Sequence, residues 1–455
     1  MAVIQNFIIN FPTKDNATER SLIDRKINMI TLGCSKNTVD SEQLAYQLKA
    51  NHYKVVFESK KHLPITIINT CGFIQDAKEQ SIEVILDCIE AKLQGKIKLL
   101  IVFGCLYQRY KKELTKELPE VDAFFGVNDV KDILHYLEAM EYSDLWSQRS
   151  LSTPKHYAYL KIAEGCNHHC AFCAIPQIRG KFISKPIEQI VNEADILVQN
   201  GVKELMLIAQ DLTYYGMDLY KKRNLSVLLN ELVKINGLEW IRLHYTYPNS
   251  FPMEVLEVMR NNDKICHYLD IPIQHINDDI LTGMHRRISE KEIRKLIDDI
   301  RKTIPSIALR TTLLVGFPGE SKKIYRQLAS FVQEVQFDRL GVFSYSHEEN
   351  TPAYVLKDTI SRREKESRKE EIMAIQQEIS LQKNQQKIGK TFKVIIDSES
   401  RDHYVGRSEF DSPDVDNTVL IPKKSFSCII GNFYPVRIVK ADNYDLYGEL
   451  EMQRP

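Results

Sequence analysis

Three apolar runs set the rhythm of the N-terminal third of the chain. "INMITLGC", "ITIINTC" and "LLIVFGC" are each rich in β-branched residues and each end in a cysteine, at Cys34, Cys71 and Cys105. The steps between these cysteines are 37 and 34 residues, and the intervening stretches, such as "AKEQSIEVILDCIEAKLQ", carry helical periodicity. Strand, helix and strand at this spacing predict a parallel sheet. "LPEVDAFFGVNDV" adds a further strand and helix, and the domain is expected to end near Trp146. In such sheets the ligand site lies beyond the carboxyl ends of the strands, and each of the three cysteines stands there.

The polar stretch "SDLWSQRSLSTPKH" reads as a linker. The strand–helix alternation then resumes, with strands expected at "YAYLKIAEG", "ELMLIAQD", "WIRLHYTYP", "YLDIPIQH", "IALRTTLLVGFPGE" and "RLGVFSYSH". Six such units predict a partial (β/α)6 barrel. Glu164, Gln210, Asp211, Gln274, His275 and Arg310 collect at or near its strand ends, the face that carries the chemistry in β/α barrels. The charged stretch from Ser361 to Lys390 reads as one long exposed helix. Five short strands in the last 65 residues predict a small OB-like β-barrel. The expected fold class is α/β, with domains at 27–146, 152–385 and 386–455 and a variable extension over 1–26.

Composition narrows the class. At 455 residues, 43% hydrophobic and 27% charged, the chain is globular and has several domains. No run of about 18 apolar residues predicts a membrane span. The N-terminus lacks a basic segment and a cleavage site, so a cytoplasmic protein is expected. Lys plus Arg equals Asp plus Glu, 61 against 61, which disfavours a large phosphate-binding surface. Nine cysteines, an odd count, argue against a disulfide framework and for metal or redox use where they cluster.

The sharpest cluster is "EGCNHHCAFC", with Cys166, Cys170 and Cys173 in the spacing CxxxCxxC. Three readings are open from the residues alone. They are three buried thiols, a zinc site completed by His168 or His169, or an iron–sulfur cube held by three thiolates with one iron left open. Likewise a single strand-end cysteine is more often a small buried hydrophobe than a ligand. Three at matching positions of one repeat point to a shared site.

The CxxxCxxC loop, with Phe172 before its last cysteine and placed just after the first barrel strand, resembles the radical S-adenosylmethionine superfamily. That resemblance implies a cluster on Cys166, Cys170 and Cys173 whose open iron binds S-adenosylmethionine. One electron then cleaves the bound molecule to methionine and a 5′-deoxyadenosyl radical. His168 and His169 become bystanders. Together with the three-cysteine N-terminal domain and a final barrel that looks like a TRAM domain, the chain from about Asn28 onward resembles the methylthiotransferases. The resemblance implies a second cluster on Cys34, Cys71 and Cys105, where sulfur is carried and methylated, hence two 4Fe-4S clusters in all. Cys88, Cys266 and Cys428 are read as ordinary core or surface thiols.

"TLGCSKNTVDSE", "NTCGFIQDAKEQS", "LIAQDLTYYG" and "GVFSYSHEENTPA" are similar to the branch that methylthiolates an aspartate β-carbon of ribosomal protein S-twelve (uS12). Ser35, where proline is frequent, and residues 1–26 depart from that pattern. The resemblance implies uS12, free or on the ribosome, as protein substrate, with an electron donor and a sulfur source as further partners. A monomer is expected, since no apolar heptad demands otherwise. From Thr391 to Pro455 there are eight Lys/Arg against eleven Asp/Glu, a net of −3. An acidic barrel complements a basic ribosomal protein better than RNA, and "FDSPDVDN" is the candidate contact. The alternatives are a tRNA methylthiotransferase acting on a modified adenosine, and a non-catalytic iron–sulfur or zinc protein. Gln274, His275 and Arg310 are candidates for holding S-adenosylmethionine, and the "VGFPGE" turn either approaches it or only turns the chain.

Overall fold

The computed structural model describes residues 25–423 and 427–451; the expected extension over 1–26 lies almost wholly outside them. The N-terminal sheet comprises β1 (Lys26–Thr31), β2 (Lys54–Phe57), β3 (Ile65–Thr70), β4 (Leu99–Gly104) and β5 (Ala123–Phe125). All pairs are parallel and the order is β2-β1-β3-β4-β5. Its strands are apolar on both faces because helices cover both. Ile101 and Phe103 of β4 join the core on one face, and Leu100 and Val102 that on the other. Helix α1 (Ser35–Ala50) packs on the first face, and α2 (Gln75–Leu93) with α3 (Cys105–Arg109) on the second.

The stretch expected as a linker is packed instead. Arg149 is buried, with Glu42 at 3.6 Å and Glu193 at 3.5 Å. Ser152 donates to Glu42 from its backbone and its hydroxyl, at 2.8 and 2.9 Å. Part of its polarity is thus taken up by Glu42 and Glu193.

The central sheet is built from β6 (Tyr157–Lys161), β9 (Glu204–Ile208), β10 (Trp240–Leu243), β11 (Ile265–Asp270), β12 (Ala308–Val315) and β13 (Arg339–Ser344). These six strands run parallel in the order β13-β12-β11-β10-β9-β6 and do not close. The short hairpin of β7 (Ala163–Glu164) and β8 (Ile183–Ser184) brackets the CxxxCxxC loop. One face of the sheet packs on its crossover helices through Leu160, Leu205, Leu207, Leu269 and Leu309. The alternate residues face inward.

The long helix at Arg362–Gln385 is not exposed all round. Arg368 is buried against Glu320 at 2.7 Å, Gln376 donates to the Phe337 carbonyl at 2.9 Å, and Ser380 to that of Asn443 at 2.7 Å. Its buried stripe is largely polar and satisfied by hydrogen bonds, so a search for apolar periodicity does not detect it.

The last five strands, β14 (Thr391–Glu399), β15 (His403–Ser408), β16 (Thr418–Pro422), β17 (Phe433–Ala441) and β18 (Asp445–Leu450), form the expected closed barrel in the order β14-β15-β16-β18-β17. It docks into the mouth of the open sheet. Trp240, Cys266 and Ala308, at or near the amino ends of their strands, and Tyr268 farther along β11 pack against Ile395, Phe410 and Phe433. A polar layer surrounds this contact. Glu204 receives Arg242 at 2.8 Å and Arg407 at 2.7 Å, and Arg407 also bonds Asp397 at 2.6 Å. The acidic "FDSPDVDN" segment is largely consumed here, which corrects its reading as a free contact surface. Asp411 is paired with Arg339, and Asp416 accepts from the Tyr268 hydroxyl at 2.8 Å and faces Arg310 at 3.4 Å. Asp414 stays exposed. Cys88, Cys266 and Cys428 are all core thiols. Among the described residues no helix is long and apolar enough to cross a membrane.

Burial alone would raise the interface carboxyls. Arg407 and Arg242 outweigh it at Glu204, Arg407 and His156 at Asp397, and Arg339 at Asp411, so all three lie below the usual range. Burial, helped by Arg242 and Arg310, holds His244 well below the usual histidine value. Depressed carboxyls contribute stability above their unfolded pKa and lose it as pH falls through the folded one; a buried neutral histidine acts in the same direction. Docking is therefore expected to be full above about pH 6.5, to weaken as pH falls below the ordinary histidine value, and to fail below about pH 4, read by calorimetry and limited proteolysis. Glu204→Gln is expected to cost about 3–5 kcal/mol at neutral pH by leaving buried arginines uncompensated.

Candidate active site

The strand order of the N-terminal sheet puts its switch point between β1 and β3, where open α/β sheets bind ligands. Cys34 and Cys71 follow those two strands, and Cys105 follows the next one. Cys34 caps α1, so the positive end of that helix dipole points at the shared edge. Cys71 and Cys105 are buried and both feel Cys34 electrostatically. Close approach depends on glycine: Gly33 has φ +92°, and a Cβ there would lie 2.6 Å from the Cys71 Cβ and 2.8 Å from its sulfur. Ser81 fixes the Cys71 backbone, donating to its carbonyl at 2.9 Å and accepting from its N–H at 3.1 Å.

The second set lies in the loop after β7. Arg286 approaches the Cys170 sulfur at 3.5 Å and stacks its guanidinium on the Tyr247 ring at 4.2 Å. The Tyr247 hydroxyl is 3.8 Å from the same sulfur. His168 bonds Asp211 at 2.7 Å and stacks on Tyr247 with ring centroids 3.8 Å apart. It therefore buttresses the loop rather than ligating. His169 is exposed, and its carbonyl accepts from His285 at 3.2 Å.

Both sets fit a polynuclear cluster. All nine cysteines are free. Burial pushes Cys105, Cys166 and Cys173 up to about 12, with Arg179 opposing the shift at Cys105 and Arg286 at the other two. The thiols thus ionise only with positive charge beside them, as iron would supply. A single zinc ion needs its donors converging on one point, whereas a cube takes one thiolate at each of several irons.

One buried ion network joins the two sets. Arg179, in the short helix Ile175–Arg179 after Cys173, donates to Cys105 at 3.4 Å and also bonds Asn37. Its other arm binds Asp40 of α1 at 3.1 Å and Glu164 at 3.0 Å. Lys161, last in β6, pairs with both carboxylates, lying 2.7 Å from Glu164. Cys105 packs with Val127, Ala174 and Ile178, so the residue after Cys173 shares one apolar group with a cysteine of the N-terminal set. Burial works against these charges, yet Lys161 and Arg179 hold the Glu164 carboxyl below its ordinary range. On the far side, Lys78 and Arg109 both reach Glu348 at 2.8 Å.

Gln274, His275 and Arg310 are placed differently. Gln274 has φ +71°, with its backbone bridging β12 beside Leu313. His275 is buried, accepts from the Asn277 N–H at 3.0 Å and lies 3.6 Å from Glu320, so it braces the "VGFPGE" turn. Arg310 lies between Asp270 and Asp416, both at 3.4 Å, against the C-terminal barrel. The side chains bonded to the candidate thiols are Asn37, Arg179, Tyr247 and Arg286. None stood out in the sequence, since each needs the fold to bring it to a sulfur.

Family models match three segments: the uncharacterized protein family UPF0004 over residues 26–126, the Radical SAM superfamily over 160–332 and a TRAM domain over 388–450. The ribosomal protein uS12 methylthiotransferase RimO of Christiangramia forsetii is 54% identical over 430 residues, covering 94% of this chain and 95% of that protein. Proteins of the same name from Flavobacterium johnsoniae and Phocaeicola vulgatus are each 51% identical, over 94% and 93% of this chain and 99% of theirs. Among solved structures, the radical S-adenosylmethionine methyltransferase TsrM from Kitasatospora setae superposes with TM-score 0.55 at 12% identity, over 86% of this chain and 80% of that one. That likeness concerns the fold alone.

Arg179→Ala leaves Asp40 and Glu164 with Lys161 as their remaining cation. The expected loss is about 3–5 kcal/mol in denaturant unfolding. Combined with Asp40→Ala, the two losses are expected to be strongly non-additive in a double-mutant cycle.

Proposed function

Because the chain belongs to the ribosomal protein uS12 methylthiotransferase family, we propose that Cys34, Cys71, Cys105, Cys166, Cys170 and Cys173 hold two 4Fe-4S clusters and that its target is an aspartate of uS12. The chain is a radical S-adenosylmethionine methylthiotransferase that modifies uS12. The tRNA reading is set aside, since relatives matching 94% of the chain carry the uS12 name. The observation that carries the two-cluster reading is Arg179, which touches the sulfur of one set from the helix that follows the other.

When bound, the clusters and S-adenosylmethionine supply one-electron chemistry able to break an unactivated C–H bond, together with the sulfur and methyl that replace the hydrogen. The chain's own residues supply placement and shelter. Cys166, Cys170 and Cys173 would hold one cluster, with Arg286 as the fixed positive charge beside Cys170. Cys34, Cys71 and Cys105 would hold the other, with Arg179 in the same role at Cys105. The network of Asp40, Lys161, Glu164 and Arg179 fixes one set against the other. Positioning of this kind dominates when the reactive species must not meet water. The C-terminal barrel seals the amino-end mouth of the open sheet. Asp414 stays exposed at this junction, with its charge felt at Tyr157 and Tyr159. On this reading the protein works in the cytoplasm as a monomer, with a separate electron donor and sulfur source.

The test is anaerobic reconstitution with iron and sulfide counting, followed by mass spectrometry of uS12. Wild type is expected to place a methylthio group on one aspartate peptide. Replacing either cysteine triplet with alanine is expected to halve iron and acid-labile sulfide and to abolish the modification. Zinc in place of iron, or label on tRNA alone, would contradict the proposal.

A further inference from the structure

Lys36 stands apart from the other buried cations. Every other buried Lys or Arg among the described residues faces a carboxylate or, for Arg286, a thiol. Lys36 is 6% exposed, and its ammonium lies 3.2 Å from the centroid of the Tyr245 ring, with no ion pair to a carboxylate among the described residues. An ammonium on a largely buried side chain is costly without an anion, and the face of a tyrosine ring offsets only part of that cost. Such a site is built to be completed by a negative group that arrives with a ligand.

Its position says which ligand. Lys36 is in the first turn of α1, two residues beyond Cys34. Its neighbours Asn37 and Asp40 are the residues through which that helix meets Arg179. Tyr245 follows β10 at its carboxyl end and is held at φ +61°. Its N–H donates to Asp270 at 3.1 Å and its carbonyl accepts from Leu212 at 3.0 Å. A non-glycine residue in the left-handed region persists only where its surroundings over-determine it. Here they fix the ring under the ammonium. Lys36 thus sits where the N-terminal thiol edge meets the carboxyl ends of the barrel strands.

We propose that Lys36 binds the side-chain carboxylate of the target aspartate and so selects aspartate as the residue to be modified. The inference rests on the reading of uS12 aspartate as substrate. The aspartate keeps its carboxylate throughout, because the change occurs at the adjacent carbon. A charge-assisted bond to it holds that carbon in the gap between the two thiol sets and rejects an amide in its place. S-adenosylmethionine also carries a carboxylate, so the experiment separates the two sources.

The reconstituted full chain is titrated with uS12 and with uS12 in which the modified aspartate, located by mass spectrometry, is changed to asparagine. S-adenosylmethionine affinity is measured alongside. Wild type is expected to prefer the aspartate form by about tenfold or more. Lys36→Met is expected to bind both forms alike while its affinity for S-adenosylmethionine is unchanged. Lys36→Gln, similar in length and polar, is expected to behave the same way and serves if the methionine variant does not fold. Retention of the aspartate preference by these variants would overturn the inference. So would a loss of S-adenosylmethionine affinity with the preference intact, which would give the carboxylate to the cofactor. Failure of wild type to bind either form of uS12 would remove the substrate reading itself, and shows before any variant is compared.

Discussion

The molecule depends on one buried contact: Arg179 and Lys161 on the barrel side against Asp40 of α1, with Glu164 between them. Three buried charges and the half-buried Glu164 are drawn together, and each is paired twice. A network of this kind adds little net stability over an apolar seam, but it is strict about geometry, because any shift strands a buried charge. Strictness is what two remote cysteine sets need if they are to serve one carbon atom. Arg179 adds to this by reaching the Cys105 sulfur itself.

The C-terminal barrel works on the same principle at the opposite mouth of the sheet. Arg242, Arg339 and Arg407 line the inner face and are met by Glu204, Asp411 and Asp397. The net charge of −3 of that tail therefore belongs in good part to its own docking and not to a partner. An excess of acid in a domain is informative about partners only after its buried pairs are subtracted.

Much of this architecture is legible in the sequence because it is local. A β-branched run ending in cysteine marks a strand and its carboxyl end together, and CxxxCxxC with Phe172 marks the loop. The five strands of the final barrel announce themselves by their turns. The seam is not legible, because Asp40, Lys161, Glu164 and Arg179, though two of them lie in quoted motifs, carry no sign of one another and meet only across the domain boundary. The same holds for Arg286 and Tyr247 beside Cys170. The helix from Arg362 to Gln385 and the stretch around Arg149 mislead for a related reason: both bury polar side chains that look solvated until their partners are placed. His168, which first suggests zinc, gains its role from Asp211 and Tyr247, both remote in sequence.

On the proposed reading the two cysteine sets hold clusters close enough to interact across Arg179. Electron paramagnetic resonance of the reduced, reconstituted enzyme tests it most directly, compared with the two variants lacking one cysteine triplet each. A spin–spin interaction is expected in the wild type that neither variant shows. A wild-type spectrum equal to the simple sum of the two variant spectra would contradict it.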